Sequence, residues 1–422
     1  MDYASMTPDS GAQKSSQDEA SNSASARLFF AGFDSMRAAS SLDGRANENR
    51  KTEGLTDGLD LLSLARPKDS SDWSSGHFNS PADGSRIEYK ERGGAPDKPA
   101  RVFVGGLALA ESYEPLFSSG PPQAGSEYFV WLRGQGKTDW TPTQQPLDAD
   151  ARDLAAMISK AAKNSETGKA DLVLHSYATV VFQRMLQLRG EDNIDDALSH
   201  VSHVTMLNAN SHAEGGEKLA GPEFVQRAQA TKLFVDGLDA YDSQIKLWET
   251  TAKVNPFLAL QMYGLINTAK FQRSAGLNLA IKEVVDMERK DLSEPWQAKD
   301  EPLRKDAQRE LEQNAKNSDW QEAVIRRSRD VFVLDMKKSD FDYLRNSGIK
   351  LDIVQGSEDK LLPWAGTRGM LELMGVNAPE KAPAPGAEFK SPDGSIRMQM
   401  AKGDHYFPLK HPDELRKILA KS

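Results

Sequence analysis

Residues 171–182 constrain this chain more than any other stretch. Residues 172–174, Leu-Val-Leu, form an apolar run of the length of a buried strand. Val180, Val181, Met185, Leu186 and Leu188 then recur at helical spacing. Between them lies His175-Ser176-Tyr177, which puts a serine at the turn from strand to helix. A side chain there is lifted above the strand ends, and the N–H groups that open the helix point at whatever it meets. A lone serine in that place is more often a helix N-cap than a reacting group. The rest of the chain has to decide.

The neighbouring segments repeat the strand–helix alternation. Residues 85–91 alternate apolar and polar as a half-exposed strand does, and 101–104 form a buried strand ending in Gly105-Gly106. A helix is expected over 111–117, a strand over 128–131, a helix over 147–162 and a strand over 201–207. Strands alternating with helices imply right-handed crossovers and a mostly parallel sheet, with any ligand site beyond the carboxyl ends of the strands. From 212 to 335 the strand signals vanish and helices are expected at 223–233, 243–252, 256–273, 275–292 and 303–329. Residues 256–266 are the most apolar of these, and the charged stretch 299–329 reads as a solvated helix face. The sheet pattern returns at 350–355, followed by a helix over 364–374, a Pro- and Ala-rich loop at 378–387, a strand over 395–400 and a helix over 412–419.

Composition removes several function classes. The net charge of −9 over 422 residues argues against a general nucleic-acid binder. No apolar run approaches the roughly 18 residues of a membrane span, so a soluble chain is expected. Without cysteine, disulfides, thiolate catalysis and cysteine metal sites are excluded. The seven histidines show no metal-binding spacing, and His200 and His203 read as solvated loop residues. Residues 1–78 form a polar, Ser-rich tail with too little apolar surface to fold alone, apart from two apolar patches at 26–36 and 55–64. The tail lacks the apolar core of a secretory signal. In composition it resembles the export signals of bacterial type III effectors, which would imply a host-cell protein partner.

Taken in order, Ser176, Asp359 and His405 make the chain resemble the α/β-hydrolase family over about residues 80–422. The family's Gly-x-Ser-x-Gly turn reads here Leu174-His175-Ser176-Tyr177-Ala178. Its acid loop resembles Gly356-Ser357-Glu358-Asp359, with Pro363 four residues on, and its histidine loop resembles Gly403-Asp404-His405. Arg133-Gly134-Gln135-Gly136-Lys137-Thr138 resembles a further family loop. The resemblance implies an α/β fold: a mostly parallel sheet flanked by helices at 79–211 and 336–422, with a helical cap at 212–335. It implies Ser176 as nucleophile, His405 as base and Asp359 as its acid partner, with Glu358 and Asp404 as the nearby alternatives. Oxyanion donors would be the N–H groups of Leu107 and Tyr177, and the substrate would meet Gly106, Ala108, Arg133, Leu260 and Tyr263. The substrate implied is a small-molecule ester, thioester or amide, with no metal or organic cofactor. Leu174 stands where the family keeps a small residue, so either the helix is displaced slightly or the site has drifted towards ligand binding without turnover.

Overall fold

Val102, Phe103 and Val104, like Leu172, Val173 and Leu174, are apolar at every position because both faces of their strands are covered. Val102, Val104, Leu172 and Leu174 pack into one apolar cluster, and Phe103 and Val173 pack into another on the opposite face. The computed structural model describes residues 73–118, 124–141, 145–209, 212–213, 222–254, 256–293 and 295–420. The apolar patches at 26–36 and 55–64, and most of the tail, lie outside the described residues.

The strands are β1 (Ser74–Asn79), β2 (Arg86–Arg92), β3 (Ala100–Val104), β4 (Glu127–Val130), β5 (Ala170–His175), β6 (Val201–Leu207), β7 (His212–Ala213), β8 (Asp335–Met336), β9 (Lys350–Gly356), β10 (Glu388–Lys390) and β11 (Ile396–Ala401). The helices are α1 (Glu114–Ser118), α2 (Pro146–Lys163), α3 (Tyr177–Gln187), α4 (Asp192–His200), α5 (Pro222–Val254), α6 (Pro256–Ser293), α7 (Glu301–Asn314), α8 (Ser318–Val333), α9 (Lys338–Ser347), α10 (Trp364–Leu373), α11 (Phe407–Lys410) and α12 (Pro412–Leu419). Nine strands join in the order β1-β2-β4-β3-β5-β6-β9-β11-β10. Pairing is parallel from β4 through β11, and antiparallel only at β1/β2, β2/β4 and β10/β11. This is the mostly parallel, helix-flanked α/β sheet that the resemblance implies.

Several elements depart from the sequence reading. β1 lies inside the segment assigned to the tail; its one large apolar residue, Phe78, packs on the core from an edge strand, which leaves almost no apolar signal. The helix expected at 111–117 is split into a single 3₁₀ turn, Glu111–Tyr113, and the short α1. His203 is no loop residue: it sits on β6 and pairs with Asp352 on β9 at 3.2 Å.

Among the described residues between β7 and β8 the chain forms four long helices rather than five segments. α5 runs unbroken through Gly237, and α6 runs unbroken through Ser274. β7 and β8 pair in parallel, so the entry and exit of this helical segment are zipped together. α5 and α6 carry the large exposed apolar side chains Leu233, Leu247, Val254, Tyr263, Phe271 and Leu279. The charged stretch 299–329 is not simply a solvated face, because Glu310, Glu322, Arg326 and Arg327 are buried. Among the described residues, no helix is long and apolar enough to cross a membrane.

Candidate active site

β5 delivers Ser176 to the carboxyl edge of the sheet, and α3 begins at the next residue. Ser176 has φ 55° and ψ −119°, a region that non-glycine residues avoid. Two contacts fix it there: its N–H donates to the Leu207 carbonyl at 2.9 Å, and its carbonyl accepts from the Thr179 hydroxyl at 2.7 Å. The turn also needs a bare backbone opposite. A Cβ on Gly106 would lie 3.1 Å from Ser176 Cβ and 3.2 Å from His175 Nδ1. Leu174, the residue out of keeping with the family's turn, is fully buried and packs in the apolar cluster. Ala178 is fully buried beside it.

The structure brings Ser176, His405 and Asp359 together. His405 Nε2 lies 2.9 Å from Ser176 Oγ, and His405 Nδ1 lies 3.0 Å from Asp359 Oδ2. With Nδ1–H donating to the carboxylate, Nε2 is the atom that faces the serine hydroxyl. Asp359 is itself held: Oδ1 accepts the N–H groups of Leu361 and Leu362, both at 2.9 Å, and Oδ2 also accepts from Gln355 Nε2 at 3.3 Å. The two alternative acids are placed elsewhere. Glu358 is exposed, and Asp404 is bound by Lys410 and by the Tyr406 N–H.

Burial opposes a charge on the His405 ring, but the Asp359 charge and hydrogen bond, helped by Glu288 and Asp291, raise its pKa to about 9. A second imidazole sits beside it. His175 is buried with its ring centroid 5.0 Å from that of His405, and its Nε2 lies 3.0 Å from the His405 carbonyl. Burial and the neighbouring His405 charge hold His175 well below the usual imidazole range, so it stays neutral.

Several residues that shape the site carry no motif. Gln135 Nε2 donates to the carbonyls of Gly106 and Leu107 at 2.8 and 2.9 Å, pinning the loop expected to supply an oxyanion donor. Asn208, at φ 50°, joins three strand ends: its amide donates to the His405 carbonyl at 2.6 Å and accepts the Gly356 N–H at 2.8 Å. Glu310 of α7 accepts the N–H groups of Ala110, Glu111 and Ser112 at 2.7, 2.9 and 2.7 Å, tying the helical segment to the same loop. For Gln135 and Asn208 the signal is a polar side chain just past a strand end; Glu310, one of many charged residues of α7, carries none.

Above Ser176 lies a cavity of about 120 Å³. Gly106, Leu107, Ala108 and Tyr177 line it from the sheet side, and Val284, Met287 and Glu288 of α6 line it from the other. Two expected substrate contacts, Arg133 and Tyr263, are not in its wall. Arg133 is fully buried as a structural lock: its guanidinium pairs with Asp153 and Asp83, both at 2.6 Å. Tyr263 is 65% exposed on α6; it lies about 32 Å along the helix from Val284 at 1.5 Å per residue, so it cannot reach. The Leu260 side chain lies outside the described residues, three residues further along the same helix from the cavity. Among the described residues, no group of His, Asp and Glu is arranged to hold a metal ion.

No family model matches the sequence, and no curated protein matches it. Among solved structures, the chain is similar to an esterase from Exiguobacterium antarcticum at 15% identity, covering 82% of this chain and 99% of that one, with a TM-score of 0.48. It is similar to an enol-lactonase from Burkholderia xenovorans at 10% identity, covering 82% and 98%, with a TM-score of 0.49. An N-formylmaleamic acid deformylase from Pseudomonas putida is similar at 11% identity, covering 82% and 100%, with a TM-score of 0.44.

Proposed function

We propose that this protein is a serine hydrolase that cleaves a small ester, thioester or amide through an acyl-enzyme. The observation that carries the reading is the Ser176–His405–Asp359 relay, with contacts of 2.9 and 3.0 Å and with Ser176 and His405 lining the cavity. Ser176 Oγ attacks the carbonyl carbon while His405 Nε2 takes its proton. Asp359 fixes the ring and stabilises the imidazolium. The negative charge gathers on the former carbonyl oxygen, where the N–H groups of Leu107 and Tyr177 receive it; one such donor is worth about 3 kcal/mol. The carbon–heteroatom bond then breaks, and the leaving group takes the proton from His405. Water attacks the acyl-enzyme by the same route and releases the acid and the free serine.

In this reading the helices between β7 and β8 act as a cap that screens the reaction from water. Hydrolysis of p-nitrophenyl butyrate tests the proposal: Ser176→Ala should lower kcat by at least 10³-fold, and equal rates in the two proteins would refute it.

A second reading, ligand binding without turnover, draws on the raised His405 pKa of about 9, which keeps the base protonated at neutral pH. Failure of hydrolysis to appear even at pH 10 would favour it. The further element, a secreted effector with a host partner, rests on the Ser-rich composition of residues 1–75. It predicts that those residues alone carry a reporter out of the bacterial cell, and a retained reporter would remove it.

A further inference from the structure

The cavity wall is apolar at Leu109, Val284, Met287, Val324 and Val331, and one carboxylate interrupts it. Glu288, on the last third of α6, lines the cavity and is only 8% exposed. Its Oε2 accepts the Tyr406 hydroxyl, and its Oε1 makes no hydrogen bond among the described residues. No lysine or arginine among the described residues pairs with it; Lys410, close by, is bound to Asp404 and to the Asp291 carbonyl. Burial pushes the Glu288 carboxyl up to about 7, and the His405 charge works against that rise.

A carboxylate this buried is costly unless both of its oxygens are met, and the Tyr406 hydroxyl meets only Oε2. Packing alone would put an aliphatic residue here, as at Val284 one turn earlier. The unfilled oxygen therefore marks where a ligand supplies what the protein does not. The rings of Tyr113 and Tyr406 also line the cavity, and aromatic faces favour a cation over a neutral group.

We propose that the cavity selects an acyl substrate carrying a cationic nitrogen, with Glu288 Oε1 as its counter-ion and the apolar wall around its carbon skeleton. This rests on the reading of Ser176 as nucleophile only for the word acyl. The cation site itself is independent of turnover, so the two can fail separately.

Isothermal titration of the full-length Ser176→Ala chain with n-butylammonium, against the isosteric neutral 1-butanol, tests it. The ammonium should bind at least tenfold more tightly, and the preference should fall below twofold once Glu288→Gln is added. Glu288→Asp, which keeps the charge, should retain a preference. On the wild-type chain, n-butylammonium should slow fluorophosphonate labelling of Ser176 at tenfold lower concentration than 1-butanol, a comparison that needs no variant to fold. Equal binding of the two ligands, no binding of either, or a preference that survives Glu288→Gln would overturn the proposal. Ammonium preference in a chain whose Ser176 never labels would leave the cation site standing and remove the hydrolase reading.

Discussion

At His405, burial and charge pull in opposite directions, and the charges of Asp359, Glu288 and Asp291 win, raising the ring to about 9. The base needs a free lone pair on Nε2, so only the neutral ring works. Below pH 9, kcat/KM for p-nitrophenyl butyrate should therefore rise about tenfold per pH unit and then level off. Glu288→Gln removes one of the raising charges and should move the break to lower pH; a profile flat from pH 6 to 9 would contradict this account of the ring. The same shift has a stability sign. A folded pKa above the ordinary 6.5 stabilises the fold fully below pH 6.5, and that contribution fades as pH rises through about 9. Gln135 gives a second test at this scale. Its amide satisfies the Gly106 and Leu107 carbonyls, so Gln135→Ala should cost about 1–3 kcal/mol in a urea melt and lower kcat, because the loop beside Ser176 loses its anchor. A variant with wild-type stability and kcat would show that the loop holds itself.

The helical segment meets the sheet through buried charge as well as through apolar packing. Arg327 of α8 and Asp150 of α2 are each 1% exposed at the side chain and are bonded through two contacts of 2.7 Å. Arg327 also donates to the Arg133 carbonyl at 2.6 Å, and Asp150 accepts the hydroxyl of Tyr177, the residue after Ser176, at 3.1 Å. Arg327→Met leaves Asp150 buried without its counter-ion and should cost about 3–5 kcal/mol, read as a lowered urea midpoint; a loss under 1 kcal/mol would mean that water enters and replaces the guanidinium. The sequence was legible where a local pattern suffices. β6 needed only its apolar run, and Ser176, Asp359 and His405 needed only their order on three loops. It was not legible where partners lie far apart in the chain: Arg133 reads as a substrate contact until Asp83 and Asp153 close around it. The gap expected between 223–233 and 243–252 is helix as well: the cost of Gly237, about 1 kcal/mol, is outweighed by Val235 and Leu238, which are buried on either side of it.

Across the whole molecule, three strand ends converge on one cavity. β5 brings the serine, β9 the carboxylate and β11 the loop with the imidazole, while the far third of α6 and part of α8 close the opposite wall. Asn208 and Gly356 hold those ends in register. A Cβ on Gly356 would come within 2.6 Å of the Asp404 carbonyl, so the acid and histidine loops touch backbone to backbone. Residues 256–266 are the most apolar run of the helical segment, yet Tyr263 and Leu265 in that run face solvent, and Val284, Met287 and Glu288 at the other end of α6 line the cavity. The central claim is that Ser176 is activated by His405 in the folded chain. Labelling with a fluorophosphonate probe tests it most directly, comparing the wild type with Ser176→Ala and His405→Ala. The account predicts strong labelling of the wild type at pH 9, none in Ser176→Ala and almost none in His405→Ala. A folded wild type that stays unlabelled at pH 9, or a His405→Ala chain that labels as fast, would contradict it.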